Sequence, residues 1–272
     1  MGIDQGEWAR LGADDRAHFG LETTGDGTAA FTLRPELTRL DGRMYGGTAM
    51  AVAIAVAEQV TDRPALWCTV QFVSPESSAG DRIDLEVDVR AHGRRASQFR
   101  VSGRRGDDLL FEAVGACALP KEGAPEGAFP TMPAVLPPEE CPGADFPVSS
   151  PDGPPGFVRQ LEIRRTLEAA GRPGPHRMWV RLPGRAATAT VLGFVSDWVP
   201  SAVVQALGGR GGGTSLDNTL RLAFPTDEEW VLIDFDPHAA RGGYGHGAAH
   251  LWSRSGTYLG TASQTSTLII LG

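Results

Sequence analysis

The chain has 272 residues, 41% of them hydrophobic and 21% charged, with a formal net charge of -8. That is an ordinary globular composition, long enough for one large core or two smaller ones. The acidic balance argues against nucleic acid or an anionic membrane surface as the main partner.

The opening stretch, MGIDQGEWARLGADDRAHFG, mixes charges and has no apolar run, so no signal peptide is expected. The longest low-charge apolar stretch, 46–57, is about 12 residues and too short to span a bilayer. Cys68, Cys117 and Cys141 are odd in number and form no CxxC, so neither a zinc site nor a disulfide framework is implied, and a reducing, cytoplasmic setting is the expectation. His246 and His250 share a strand face without an evident third ligand, so no metal is expected, and no cofactor either.

In chain order, strands are expected over 18–24 and 28–34. "YGGTAMAVAIAVAEQV" then reads as a helix entered after Gly46 and Gly47, apolar nearly all round and therefore buried until Glu58, which is expected in solvent. "WCTVQFVSP" and "RIDLEVDVRAHG" read as strands, the second alternating Ile83, Leu85, Val87 and Val89 with charges. "QFRVSGRRGDDLLFEAVGACAL" gives two more around a glycine turn. Arg94, Arg95, Arg104 and Arg105 cluster near strand ends, there either to meet phosphates or to solvate an edge. Residues 120–156 hold more than half of the 20 prolines and read as a partly extended linker.

The second half repeats the plan. Strands are expected over 157–166 and 176–182, then a helix in "SDWVPSAVVQAL" with Asp197 as N-cap and Pro200 in the first turn. "GGRGGG" lacks the GK[ST] ending of a phosphate loop and reads as a flexible loop. "TSLDNTLRLAFP", "WVLIDFDPHA", "GHGAAHLWSRSG" and "TYLGTASQTSTLIIL" supply the remaining strands. Thr69–Pro75 lies over Thr219–Pro225, Gly106 and Leu109 over Gly256 and Leu259, and Met44 and Gly47 over Phe194 and Asp197, an offset of about 150 residues. The expected organisation is an N-terminal unit at 1–120, a Pro-rich linker at 121–156 and a C-terminal unit at 157–272. Each unit is an antiparallel sheet curled around one apolar helix, an α+β class.

"MYGGTAMAVA" and "TVQFVSP" in the first half, with "SDWVPSA", "SLDNTLRLAFP", "EWVLIDFD" and "ASQTSTLI" in the second, resemble the double-hotdog acyl-CoA thioesterases of the thioesterase II family. The resemblance implies two tandem hotdog units and hydrolysis of an acyl-CoA or acyl-carrier thioester, with a monomer or a homo-oligomer both feasible. It implies a water activated by an Asp, a hydroxyl residue and a Gln of the second unit. Matched residue by residue, the Asp falls on Asp217, the Gln on Gln264, and the hydroxyl position on or beside His238, a departure from the family pattern. Gly47, at a helix N-terminus, is the expected oxyanion donor. Each residue has a plainer reading: Asp217 capping a turn after the glycine run, Gln264 as a ladder residue, His238 as a solvated side chain, Gly46–Gly47 as a tight loop. A hydratase or dehydratase using His238 with Asp217 or Asp197, and a non-catalytic acyl-binding protein, are the alternatives.

Overall fold

The computed structural model describes residues 5–144, 156–167 and 173–271. In chain order these form α1 (Gln5–Phe19), β1 (Glu22–Gly25), β2 (Thr28–Thr32), α2 (Gly46–Thr61), β3 (Ala65–Phe72), β4 (Arg82–His92), β5 (Ala96–Arg105) and β6 (Asp108–Ala118). The second half adds β7 (Glu162–Leu167), β8 (Pro173–Arg181), α3 (Ala189–Val195), α4 (Val199–Ala206), β9 (Arg210–Leu222), β10 (Val231–Arg241), β11 (Tyr244–Ser253) and β12 (Tyr258–Leu271). The strands make one 12-stranded sheet in the order β1-β2-β4-β5-β6-β3-β9-β12-β11-β10-β8-β7, so the halves meet edge to edge at β3 and β9.

That junction pairs the two stretches that match in sequence. Thr69 lies opposite Thr219, flanked by Cys68 opposite Leu220 and Val70 opposite Asn218. The two threonine hydroxyls bond at 2.9 Å. Equivalent residues facing each other across an antiparallel pair mark a local two-fold axis, as at an isologous dimer interface.

Each half wraps its sheet around a helix. α2 is buried on every side from Gly47 to Glu58, as an all-round apolar sequence requires. The counterpart in the second half is broken. Thr188 caps α3 by accepting a hydrogen bond from Val191 N at 3.1 Å, and α4 begins afresh at Val199 with Pro200 in its first turn. A proline four residues on cannot leave the Ser196 carbonyl its helical partner and its ring crowds that turn, so the chain opens over 196–198. Asp197, expected as an N-cap, stands in this break and bonds elsewhere, as described below.

Other expectations also change. Residues expected to open the first strand at 18 instead finish α1, which stops at Gly20 (φ 68) with Leu21 N bonding Arg16 O at 2.9 Å, a left-handed C-terminal closure. The run after Gly208 is not a loop: Gly211, Gly212 and Gly213 lie in β9, where a side chain would strike the Ile269 carbonyl, Ser201 or the Thr267 carbonyl. Glycine here lets α4 and β12 pack close to the strand. Glu58 is buried, its Oε1 accepting from Ala65 N at 2.8 Å. The described part of the Pro-rich segment packs on the sheet, with Met132, Val135, Leu136 and Cys141 against Trp179, Leu232 and Trp252. Residues 145–155 lie outside the described residues. No described helix is long and apolar enough to cross a membrane.

Candidate active site

A β-bulge decides which side chains meet. On the face toward the helices β9 presents Asn218 and Leu220, both fully buried. Period-2 alternation therefore turns Asp217 to the opposite face. Pairing with β12 runs Asn218 to Gln264 and Asp217 to Thr265, then jumps to Ser215 opposite Ser266, leaving Leu216 unpaired. The extra residue reverses the phase, so Ser215 returns to the inner face beside Gln264 although it lies only two positions from Asp217.

Asp217 is thereby separated from the residues expected around it. Its Oδ1 accepts from Thr265 N at 2.8 Å, tying down the bulge from outside. His238 is likewise apart: it is the unpaired residue of a bulge in β10, exposed, bonded to Asp236 at 3.2 Å and edge-on to the His246 ring. The four arginines are held locally where their contacts are defined. Arg105 pairs with Asp108 and Asp81, Arg104 bonds Asp107 O, and Arg95 bonds Pro120 O.

Gln264 is buried and sits at the centre of a different group. Its Nε2 donates to Asp197 Oδ1 and, at 3.1 Å, to Ser215 Oγ. Its Oε1 accepts from Val199 N, the first residue of α4, at 2.9 Å. Ser215 Oγ in turn donates to Asp197 Oδ1 at 3.3 Å. The Gly47 amide of α2 also donates to the Asp197 carboxylate. A side chain on Gly46 would fall on Asp197 Oδ2, and one on Gly47 on the Phe194 carbonyl and the Tyr45 ring. The glycine pair is needed because α2's N-terminus approaches this closely. Tyr45 OH bonds Asp197 O at 3.2 Å, and the Tyr45 ring stacks on Phe157 at 3.6 Å.

Asp197 keeps part of its surface open while protein encloses its carboxyl. Burial pushes its pKa up to about 6, opposed by the bonds from Gln264, the Gly47 amide and Ser215 and by the charge of Arg39. Arg39 is held nearby on Thr214 Oγ1 at 3.2 Å. A carboxylate with this value titrates just below neutrality, in reach of proton transfer to and from water. Of the residues named from the sequence, Gln264 and Gly47 meet in this group. The group also holds Ser215, which no sequence motif singles out, and Asp197, expected as a cap; the break enforced by Pro200 is the signal that Asp197 is not in a regular helix.

A 12-stranded antiparallel sheet of two matched halves, each around a central helix, is the double hotdog fold. Family models for the acyl-CoA thioesterase N-terminal and C-terminal domains match residues 33–119 and 138–268, and the chain belongs to the acyl-CoA thioesterase family. It is a thioester hydrolase by that membership. Among solved structures, a candidate thioesterase from Novosphingobium aromaticivorans is 28% identical, with 92% of this chain and 98% of that one covered and a TM-score of 0.80. A TesB protein from Mycobacterium avium subspecies paratuberculosis is 21% identical, covering 95% and 99%, with a TM-score of 0.76. The acyl-CoA thioesterase II TesB2 of Mycobacterium marinum is 18% identical, covering 95% and 99%, with a TM-score of 0.72; these two show the fold. A search of the curated proteins found no match.

Proposed function

We propose that the chain hydrolyses acyl-CoA by direct attack of water activated at Asp197, with Ser215 and Gln264 as its positioning partners. The observation that carries this reading is the joint bonding of Ser215 and Gln264 to one carboxylate beside the N-terminus of the other half's helix. Gln264's amide nitrogen can only donate, so Ser215 Oγ accepts from it and passes its own hydrogen to Asp197. The carboxylate is thereby oriented and left with accepting capacity for a water proton.

Asp197 takes a proton from water as the oxygen bonds to the thioester carbonyl carbon. The resulting tetrahedral adduct collapses with cleavage of the C–S bond. The proton held on Asp197 passes to the departing sulfur, giving the acid and free CoA thiol. Ionic attack of this kind gains about 10²- to 10⁴-fold from a positioned base. The hydratase reading loses its support, since His238 bonds Asp236 at the surface and Asp197's bonded partners are Gln264, Ser215 and Gly47.

The test is thiol release from a panel of acyl-CoAs by wild type and Asp197→Asn. Release by wild type, lost in the variant with unchanged circular dichroism, is expected. Equal rates would remove Asp197 from the mechanism.

A further inference from the structure

Thioester hydrolysis also needs a donor aimed at the oxygen that gains charge as the carbonyl is attacked. The donors of the Asp197 group are already engaged. Gly47 N–H bonds Asp197, Val199 N–H bonds Gln264 Oε1, Ser215's single hydrogen goes to Asp197, and Gln264 Nε2 reaches both Asp197 and Ser215.

Asn218 stands immediately beside this group. It is the Cα partner of Gln264 across β9–β12 and of Val70 across β9–β3. Directly opposed residues on one face hold their Cβ atoms about 5 Å apart. Asn218 is fully buried, and among the described residues neither its Nδ2 nor its Oδ1 has a hydrogen-bond partner. A buried unpaired amide group is costly, so a carboxamide in this position is explained by something it bonds in use. Its counterpart in the first half is Cys68, a small side chain with no such demand.

We propose that Asn218 Nδ2 donates to the carbonyl oxygen of the bound thioester and stabilises the oxyanion formed when water attacks. This rests on hydrolysis at Asp197. Its burial suits the role, because a fixed dipole acts most strongly on developing charge where water is excluded. No covalent change occurs at Asn218; the bond shortens onto the oxyanion and relaxes when the C–S bond breaks.

The test compares two unreactive CoA derivatives of equal chain length: an S-(2-oxoalkyl)-CoA, which keeps a ketone oxygen near the thioester position, and an S-alkyl-CoA, which has none. Wild type is expected to bind the ketone about tenfold tighter, the worth of one hydrogen bond. Asn218→Leu and the isosteric Asn218→Asp should bring that ratio to about one and lower kcat about 10²- to 10³-fold. Using both variants covers the case in which one fails to fold. Ser196→Ala removes a buried hydroxyl near the helix break that has no hydrogen-bond partner among the described residues, and should keep the ratio.

A ratio unchanged in both Asn218 variants overturns the proposal, as does a ratio lost only in Ser196→Ala. Wild type that hydrolyses acyl-CoA but shows no preference for the ketone overturns it while leaving the Asp197 reading intact. Wild type that neither hydrolyses acyl-CoA nor binds either analogue overturns both.

Discussion

The two halves have nearly the same scaffold and opposite chemistry. The two strands at the junction, β3 and β9, carry the same bulge: Leu66 is skipped between Ala65 and Trp67 as Leu216 is skipped between Ser215 and Asp217. Where the second half has Asp197, Ser215 and Gln264, the equivalent first-half residues are Gly47, Ala65 and Gly115, the last by its pairing with Cys68 as Gln264 pairs with Asn218. Neighbouring strands exchange size. Phe99 lies opposite Gly115 and its ring occupies the space a side chain there would need. In the second half Gly247 lies opposite Gln264, and the room above it is taken by Val199 at the start of α4. The unbroken α2 offers backbone donors at its N-terminus, while the broken α3–α4 offers a carboxylate. A two-fold fold can thus hold a one-sided site, because Gly47 and Asp197 are symmetry mates that meet each other.

The largest expected effect comes from removing the asymmetry at its centre. Asp197→Asn should lower kcat about 10²- to 10⁴-fold with folding retained. In wild type, kcat/KM should fall as pH drops through about 6, where Asp197 takes up its proton. A pH profile without that limb would argue against Asp197 as the base.

Copying the first half's packing into the second is the next test. Gly247→Phe would force a side chain against Val199, Pro237 and the Asp236 carbonyl. Overpacking of this kind costs about 1–3 kcal/mol, and displacement of α4 from Gln264 should remove most turnover. Thermal unfolding and thiol release measure the two parts.

Glu58 separates the helices in another way. It is a buried carboxyl near the C-terminal end of α2, and the matching position in the second half is Gly208, past the end of α4. Burial pushes its pKa up to about 7, against the Ala65 amide bond; Asp15 adds to the rise and Arg16 opposes it. A folded value above the unfolded one means that folding takes up a proton between about pH 4.5 and 7, so stability falls across that window as pH rises. Glu58→Gln should remove this dependence and raise stability at pH 8 by about 3 kcal/mol at most, read from urea unfolding at pH 5 and 8. A pH dependence that survives the substitution would assign it to another group.

The smallest effects belong to the residues outside the group. Asp217→Asn keeps an acceptor for Thr265 N, and His238→Ala removes only a surface pair, so both should leave kcat/KM within about twofold. A large loss in Asp217→Asn would reverse the assignment of the two aspartates.

Much of the fold was legible because it follows from periodicity. The apolar run after Gly46 gave α2, and alternation in 82–93 gave β4. Gln264 is named by its place in a matched motif, and the structure places it beside Asp197 and Ser215. The resemblance puts the aspartate of the site on Asp217, and strand alternation does not reveal the one extra residue at Leu216 that turns Asp217 away from Gln264. A charged residue at the end of an apolar run usually lies in solvent, and α1, whose Asp15 and Arg16 act on Glu58, has no apolar period to announce that it covers this end.

The amino-acid order by itself determined the duplicated strand-and-helix plan, the apolar core helix and the place of Pro200 in the first turn of a helix, since these depend on local period and backbone restriction. Which carboxylate faces Gln264, and that Gly47 serves it across the two-fold, was decided only in the folded molecule. Those contacts join residues 67 and 150 positions apart, and a single unpaired residue in a ladder is enough to exchange one face of a strand for the other.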